Sequence, residues 1–289
     1  MWLALAFLSA FLLGFYDVSK KYSLRNNAVI PILFLNTLFC SLIFLPLAFR
    51  TPFGGWEVQR YILLKACIVL SSWLLGYIGI KNLPITIVGP INATRPVMVL
   101  VGALIIFGER LNLMQWAGVL LAILSFFLLS RSGKKEGIDF KHNRWILCTV
   151  GAAILGAISG LYDKYLMATE SGLGLPRLTV QCWYNFYQCI MMGAMLLLLW
   201  WPKRKESTPF KWRWNILLIS VFLSIADYVY FYSLSLDGAL ISVVSMVRRS
   251  SVLVSFMLGA LLFHEKNLRS KAIDLALVLL SMFLLWLGQ

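Results

Sequence analysis

Long runs of apolar residues follow one another along the chain and are separated by short polar connections. In order, the runs cover residues 2–22, 29–49, 60–80, 84–107, 112–130, 145–168, 177–201, 214–236, 238–263 and 270–287. A helix needs about 20 apolar residues to cross a bilayer, and most runs have that length. Because the runs are continuous rather than alternating, they favour helices over barrel strands. The pattern predicts an all-α integral membrane protein with ten transmembrane helices.

The longest polar stretch divides the runs into five and five. It covers residues 132–144, is rich in basic side chains, and separates a first half, 1–131, from a second half, 145–289. Because five is odd, a repeated second half enters the membrane from the opposite side, as in many secondary transporters. We therefore predict two inverted five-helix repeats joined by a basic linker.

Short motifs that recur in the same order support this duplication. Gly14-Phe15-Tyr16-Asp17 returns 146 positions later as Gly160-Leu161-Tyr162-Asp163. Asn36 and Cys40 return 149 positions later as Asn185 and Cys189, and the Phe-x-Glu endings at Phe107 and Phe263 are 156 positions apart. The offset grows along the chain, as insertions in the connections would make it.

These motifs resemble a known family. The run from Gly76 to Pro90, then Arg95-Pro96-Val97 and the ending Phe107-Gly108-Glu109-Arg110-Leu111, looks like the EamA-type domain of the drug/metabolite transporter superfamily. The second half repeats it more loosely, from Tyr232 to Ala239 and in Phe263-His264-Glu265-Lys266, with Met246 in place of Pro90. The resemblance implies a cavity lined by helices 1, 3, 4, 6, 8 and 9, and transport by alternating access.

Composition and charge exclude several classes of protein. Apolar residues make up 60% of the chain and charged residues only 13%, which excludes a soluble globular protein. Lysine and arginine outnumber aspartate and glutamate by 26 to 12, mostly in short connections that face lipid head groups, so we expect a lipid bilayer as partner and no nucleic acid. The cysteines and histidines lack metal-ligand spacing, and we predict neither a metal nor another cofactor.

Three arginines lie within predicted spans. An arginine at the centre of a span costs about 2.5–3.5 kcal/mol on insertion scales, so such a residue suggests function. Arg95 lies midway along the fourth run, and Arg248 and Arg249 occupy a similar depth in the ninth. A guanidinium group suits a carboxylate or phosphate and stays charged, which predicts a site for an anion. The alternative is that each arginine pairs with a carboxylate and only stabilises packing.

Three carboxylates within spans are candidates for proton coupling. Asp17 and Asp163 are equivalent in the repeat, and Asp227 lies in the middle of the eighth run. We expect cross-repeat pairs, Asp17 with Arg249 and Asp163 with Arg95, in which protonation of the aspartate releases the arginine to substrate. Near a helix end, an aspartate can instead be held by neighbouring lysines or cap the helix.

Aromatic and amide side chains in the spans supply further candidates for substrate contact. An aromatic wall with a few polar groups is typical of small-molecule sites, although packing explains most membrane aromatics equally well. The asparagines have interhelical hydrogen bonding as their alternative role. The candidates are Tyr16, Tyr162, Trp73, Tyr77, Trp183, Tyr230, Asn36 and Asn185.

The function predicted from the sequence is secondary active transport, in the direction of export, of a small anionic or zwitterionic metabolite. Alternatives are a flippase for a lipid-linked or amphipathic intermediate and a multidrug exporter of aromatic cations. No acid–base pair, nucleophile or metal cluster suggests an enzyme. We expect a multi-pass protein of the bacterial plasma membrane, either a monomer or a homodimer, with protons as candidate coupling ion.

Overall fold

The fold is all-helical, and each predicted run includes an α-helix among its described residues. In the computed structural model of the chain, the described residues are 2–95, 97–99, 112–134, 142–167, 172–234, 247–263 and 268–287. The helices are α1 (Trp2–Leu24), α2 (Val29–Ala48), α3 (Gly55–Asn82), α4 (Ile85–Ala93), α5 (Leu113–Lys134), α6 (Arg144–Met167), α7 (Arg177–Met195), α8 (Asn215–Leu234), α9 (Ser251–Phe263) and α10 (Leu268–Leu287). A π-helical turn, Leu196–Trp200, extends α7.

Five of the described helices match the thickness of a bilayer. Within the described ranges, α1, α2, α3, α6 and the extended α7 are long and apolar enough to span a membrane by length and composition. The helices α5, α8 and α10 contain shorter apolar stretches. Many large apolar side chains are exposed, including Phe7 on α1 and Ile190 on α7, whereas Asn36 of α2 is fully buried. This distribution is the one expected when lipid replaces water around the protein.

Two predicted spans are interrupted rather than continuous. The helix α4 ends at Ala93, Thr94 forms a turn, and helical backbone resumes at Arg95. In the second half, Ser250 forms a turn between helical residues 247–249 and α9. The hydroxyl groups of Thr94 and Ser250 donate hydrogen bonds to the carbonyl oxygens three residues earlier, at 2.7 and 2.6 Å. The same two carbonyl oxygens also accept hydrogen bonds from the backbone N–H groups of Thr94 and Ser250, so the hydroxyl bonds serve to give these polar side chains partners within the membrane.

The helix contacts have the symmetry of a duplicated chain. The most extensive contacts join α1 to α8, α3 to α6, α5 to α10, and α2 to α7, and α4 also packs against α9. Exchanging each helix with its counterpart five places along converts α1–α8 into α6–α3 and leaves the other three pairs unchanged. The two five-helix halves are therefore related by a pseudo-twofold axis, as inverted repeats require.

Parts of the predicted pattern lie outside the described residues. They are Pro96, the endings at 107–111 and 264–266, the segment 235–246 with Met246, and residues 135–141 of the linker. The comparison of Pro90 with Met246 therefore has only its first member in the described structure, where Pro90 lies inside α4.

Candidate functional site

The two interrupted helices pack tightly against each other. A methyl group added at Gly89 of α4 would lie 2.5 Å from Val252 Cγ2 of α9, and one at Gly259 would lie 2.1 Å from Ile85 Cγ2. Only glycine permits backbones to approach so closely. This packing brings the turns at Thr94 and Ser250, and the arginines beside them, to the same region of the protein.

Arg95 lies against α6. A methyl group at Gly156 would be 2.6 Å from Arg95 Nη1 and 2.7 Å from Cζ, so the absence of a side chain there makes room for the guanidinium group. Arg95 Nη2 donates to Asn92 Oδ1 at 3.0 Å, and its Nε is buried without a hydrogen-bond partner. Within the described residues, Arg95 makes no ion pair with a carboxylate.

Arg248 is neutralised by a neighbouring helix. Its Nη2 donates to Asp227 Oδ1 of α8 in an ion pair. The guanidinium carbon also lies 4.1 Å from the centroid of the Tyr230 ring, within the range of a cation–π interaction. Arg248 is therefore held by one charge and one aromatic face on α8.

Arg249 is a second cation without a paired carboxylate. Its electrostatic neighbours are Arg95, Arg248, Tyr230 and Asp17. Of these, only Asp17 carries a negative charge, and the ion pair of Asp17 is made with another cation. In the part of the chain that the structure describes, Arg249 thus adds to the positive charge of Arg95.

The predicted pair of Asp17 with Arg249 is wrong in this structure. Lys20 Nζ donates to Asp17 Oδ1 at 2.8 Å within α1. The same ammonium lies 4.3 Å from the ring centroid of Tyr16 and 5.2 Å from that of Tyr77. The pair forms because residues three apart on a helix are neighbours, so Lys20 lies closer to the carboxylate of Asp17 than Arg249 does.

The predicted pair of Asp163 with Arg95 is also wrong. Asp163 of α6 pairs with Lys65 of α3, which is only 3% exposed. Lys65 Nζ also lies 4.9 Å from the ring centroid of Tyr184 on α7. The pair follows from the packing of α3 along α6, which the sequence pattern did not predict.

The remaining candidates divide between this region and other parts of the fold. Trp73 packs against the central apolar core. Tyr162 and Trp183 belong to a separate apolar cluster between α3, α6 and α7, where Tyr162 Oη donates to Tyr61 O and Trp183 stacks near Phe53. The structure therefore brings together Tyr16, Asp17, Tyr77, Arg95, Asp227, Tyr230, Arg248 and Arg249, but not Tyr162 or Trp183.

The two asparagines lie in polar seams between helices. Asn36 of α2 is fully buried, and its Oδ1 accepts a hydrogen bond from Ser220 Oγ at 3.1 Å. The backbone oxygen of Asn185 accepts one from Ser41 Oγ at 2.9 Å. For Asn36 this contact favours the interhelical role, whereas the contact at Asn185 involves only the backbone and leaves both roles of its side chain as predictions.

Sequence reasoning missed several residues that shape the region. Lys65 and Lys20, which pair with Asp163 and Asp17, are not among the residues predicted from the sequence to form the site. The available signal was the presence of lysine inside an otherwise apolar run. Gly156, which makes room for Arg95, carries no sequence signal that separates it from other glycines.

Comparisons with known proteins agree with the resemblance noted in the sequence. The model of the EamA-like transporter family matches residues 1–131 and 143–287. An uncharacterized transporter from Archaeoglobus fulgidus is 28% identical over 129 residues, which cover 42% of this chain and 45% of that protein. The matched part thus spans less than half of that relative. A solved crystal structure superposes with a TM-score of 0.66 over 99% of this chain and 97% of the other, at 14% identity, which shows a shared fold.

Proposed function

Because the chain belongs to the EamA-like transporter family of multi-pass membrane proteins, we propose that it carries a small organic anion or zwitterion by alternating access. The observation that carries the proposal is the positive charge of Arg95 and Arg249, which no carboxylate of the described residues neutralises in an ion pair. The two arginines flank the interruptions of the fourth and ninth spans, where helix breaks often form transport sites.

A count of charges supports an anionic substrate. Within the described ranges, three ion pairs join Asp17 to Lys20, Asp163 to Lys65 and Asp227 to Arg248, and Arg95 and Arg249 belong to none of them. Burying a charge without a counterion is costly, and a guanidinium group cannot lose its proton at working pH. A substrate carboxylate or phosphate would offset this cost, whereas an aromatic cation would increase it. The excess charge therefore argues against the multidrug alternative.

Ligand-induced thermal stabilisation of the purified protein in detergent tests this function. The panel contains anionic, zwitterionic, neutral aromatic and cationic metabolites, applied to the unmodified protein, Arg95→Gln and Arg249→Gln. A ligand at about a hundred times its dissociation constant adds about 2.7 kcal/mol to the free energy of unfolding. Arg60→Gln, at an exposed position on α3, is the matched control. Stabilisation by an anion that both site variants lose supports the proposal, and stabilisation by cations that survives both substitutions contradicts it.

An apolar groove supports a flippase as the second candidate. The groove has a volume of about 460 Å³, runs between α1 and α9, and includes Ser250, next to Arg249. Phe7, Phe11 and Leu253 in its walls are exposed, so the groove opens to the outer surface. If the hydrocarbon chain of an amphipathic anion occupied this groove, the charged head group of the same molecule would lie near the arginines. Tighter binding of an alkyl phosphate than of phosphate, reduced by Leu253→Trp, would favour the flippase over the transporter of soluble anions.

Proton coupling is proposed through Asp227 in preference to Asp17 and Asp163. Asp227 pairs with an arginine beside a helix interruption, whereas the other two pair with lysines. Protonation of Asp227 would release Arg248 to the substrate, so that proton and anion bind together. When the proton and the anion bind together, the transporter carries them across the membrane in the same direction. An inward proton gradient would then drive uptake of the anion. Export, the direction predicted from the sequence, would require the proton and the anion to exclude each other.

The proposal places the protein in the bacterial plasma membrane, as a monomer or a homodimer. The two halves, 1–131 and 145–289, would move relative to each other around the arginines, with residues 132–144 as their connection. Chemical crosslinking in native membranes distinguishes the two oligomeric states.

A further inference from the structure

Two buried glutamines on α7 present amide groups without hydrogen-bond partners. Gln181 and Gln188 are seven residues apart, which places them on one face of the helix, and both are fully buried. Neither the nitrogen nor the oxygen of either amide makes a hydrogen bond within the described residues. We call Gln181 and Gln188 the α7 amide pair.

Burial of the α7 amide pair without hydrogen-bond partners lowers the stability of the protein. Each amide contains a carbonyl acceptor and two N–H donors, and burial without partners costs the hydration of all of them. The cost is greater in a membrane, where lipid offers no hydrogen bonds in exchange. Leucine at both positions would pack without this cost. The pair is thus a set of donors and acceptors available to a ligand.

The amide pair lies next to the charged region. Tyr184 is three residues after Gln181 and four before Gln188, so it lies on the same side of α7. Its hydroxyl group has Asp227, Asp163 and Arg248 among its electrostatic neighbours. The side of α7 that carries the amides is therefore adjacent to the ion pair of Arg248 with Asp227, from which the proposed proton coupling would release Arg248 to the anion.

We propose that the α7 amide pair binds hydroxyl groups on the body of the substrate, so that the substrate is a polyhydroxylated organic anion such as a sugar acid. The inference rests on the proposed function, because it assigns the uncharged part of the same substrate. A hydroxyl group both donates and accepts a hydrogen bond, which matches an amide that offers both. An alkyl or aromatic body would leave the amides unpaired, as they are without ligand, and would therefore bind less tightly than a polyhydroxylated body.

Glucarate and adipate form a matched pair of probes. They are dicarboxylates of the same chain length that differ in the hydroxyl groups of glucarate, so their charge is equal. We expect the unmodified protein to bind glucarate about tenfold or more tightly than adipate, measured by calorimetry in detergent. Gln181→Leu and Gln188→Leu should each reduce this preference to near unity and leave the affinity for adipate unchanged. Arg249→Gln should weaken both ligands equally.

Gln59→Leu is the control for the loss of a buried glutamine. Gln59 is 1% exposed, but its amide donates to Phe53 O at 2.5 Å and accepts from Tyr187 Oη at 2.8 Å. Because these bonds satisfy the amide, the variant should keep the preference for glucarate. A loss of preference in Gln59→Leu as large as that in Gln188→Leu would overturn the inference, since the effect would then come from packing.

The outcomes separate the inference from the proposed function. Equal binding of glucarate and adipate that depends on Arg249 overturns the inference and leaves the anion proposal in place. No binding of either ligand, together with no reaction of Gln188→Cys with a water-soluble thiol reagent in a cysteine-free protein, overturns both. Where a leucine variant fails to fold, Gln188→Met serves in its place with the same expected loss of preference.

Discussion

The guanidinium group of Arg95 occupies the space where Gly156 has no side chain. An added methyl group would lie 2.6 Å from Nη1, closer than any stable contact. Because the group it would meet is the end of a flexible side chain, Arg95 can move away without disturbing the helices. The position of the charge is thus coupled to a glycine 61 positions later in the chain.

Gly156→Ala should displace Arg95 and leave the fold intact. Alanine favours a helix over glycine by about 1 kcal/mol, so we expect the thermal stability to be kept or raised. Anion affinity should fall at least about tenfold because the charge moves. Gly160→Ala on the same helix is the control, since its methyl group would meet only Val99 Cγ2 at 4.0 Å. Equal affinities in the two variants would show that the position of Arg95 does not matter.

Asp227→Asn should remove the pH dependence of anion binding. In the unmodified protein, the ionised carboxylate competes with substrate for Arg248, so protonation of the carboxylate at lower pH should raise the affinity for the anion. Asparagine cannot ionise, and the variant should bind the anion with the higher affinity at every pH. Titrations between pH 5 and pH 8, with an anion of about constant charge in that range, measure the effect. An unchanged pH profile in the variant would exclude Asp227 as the proton site.

Lys65→Met should destabilise the protein more than the double variant Lys65→Met, Asp163→Asn. The single change leaves the half-buried carboxylate of Asp163 without its counterion, and because breaking a fully buried pair costs about 3–5 kcal/mol, we expect a loss of about 2 kcal/mol here. The double change removes both charges and should recover most of that loss. Thermal unfolding in detergent gives the comparison. If the double variant is as unstable as the single one, the pair does not stabilise the contact between α3 and α6.

Gly259→Ala should disrupt the contact between the two interrupted helices. The new methyl group would lie 2.1 Å from Ile85 Cγ2, on a branched side chain close to its backbone, so α4 and α9 would have to separate. We expect a loss of about 2 kcal/mol in the free energy of unfolding. Gly76→Ala is the control, because its nearest contact would be Ala152 Cβ at an ordinary 3.7 Å. Wild-type stability in Gly259→Ala would show that the contact can relax.

The sequence predicted the presence of the central arginines but not their partners. Arg95, Arg248 and Arg249 stand out because charges inside apolar runs are rare. The expected partners were wrong for Asp17 and Asp163, since the choice was made from repeat equivalence alone. Lys65 and Asp163 are 98 positions apart, and only the packing of α3 along α6 brings them together.

The interruptions at Thr94 and Ser250 also escaped prediction. Both breaks fall at short polar stretches inside long apolar runs, residues 92–95 and 248–251, where the arginines were interpreted as ligand groups rather than as a sign of a helix end. Their hydroxyl groups donate to carbonyl oxygens of the same turn, which gives each polar side chain a partner within the membrane. Threonine and serine perform the same local bonding inside unbroken helices, so the residue type alone does not reveal a break.

By itself, the sequence determined the class of the protein, the number of spans and the duplication. A bilayer requires about 20 apolar residues for each helix, and this requirement is visible in one dimension. The tertiary structure decided which charges are paired, which arginines remain in excess, and which amides have no partner. Those properties depend on distances between helices that are remote in the chain, such as the distance from Arg248 to Asp227 or from Arg95 to Gly156, and no local pattern contains them.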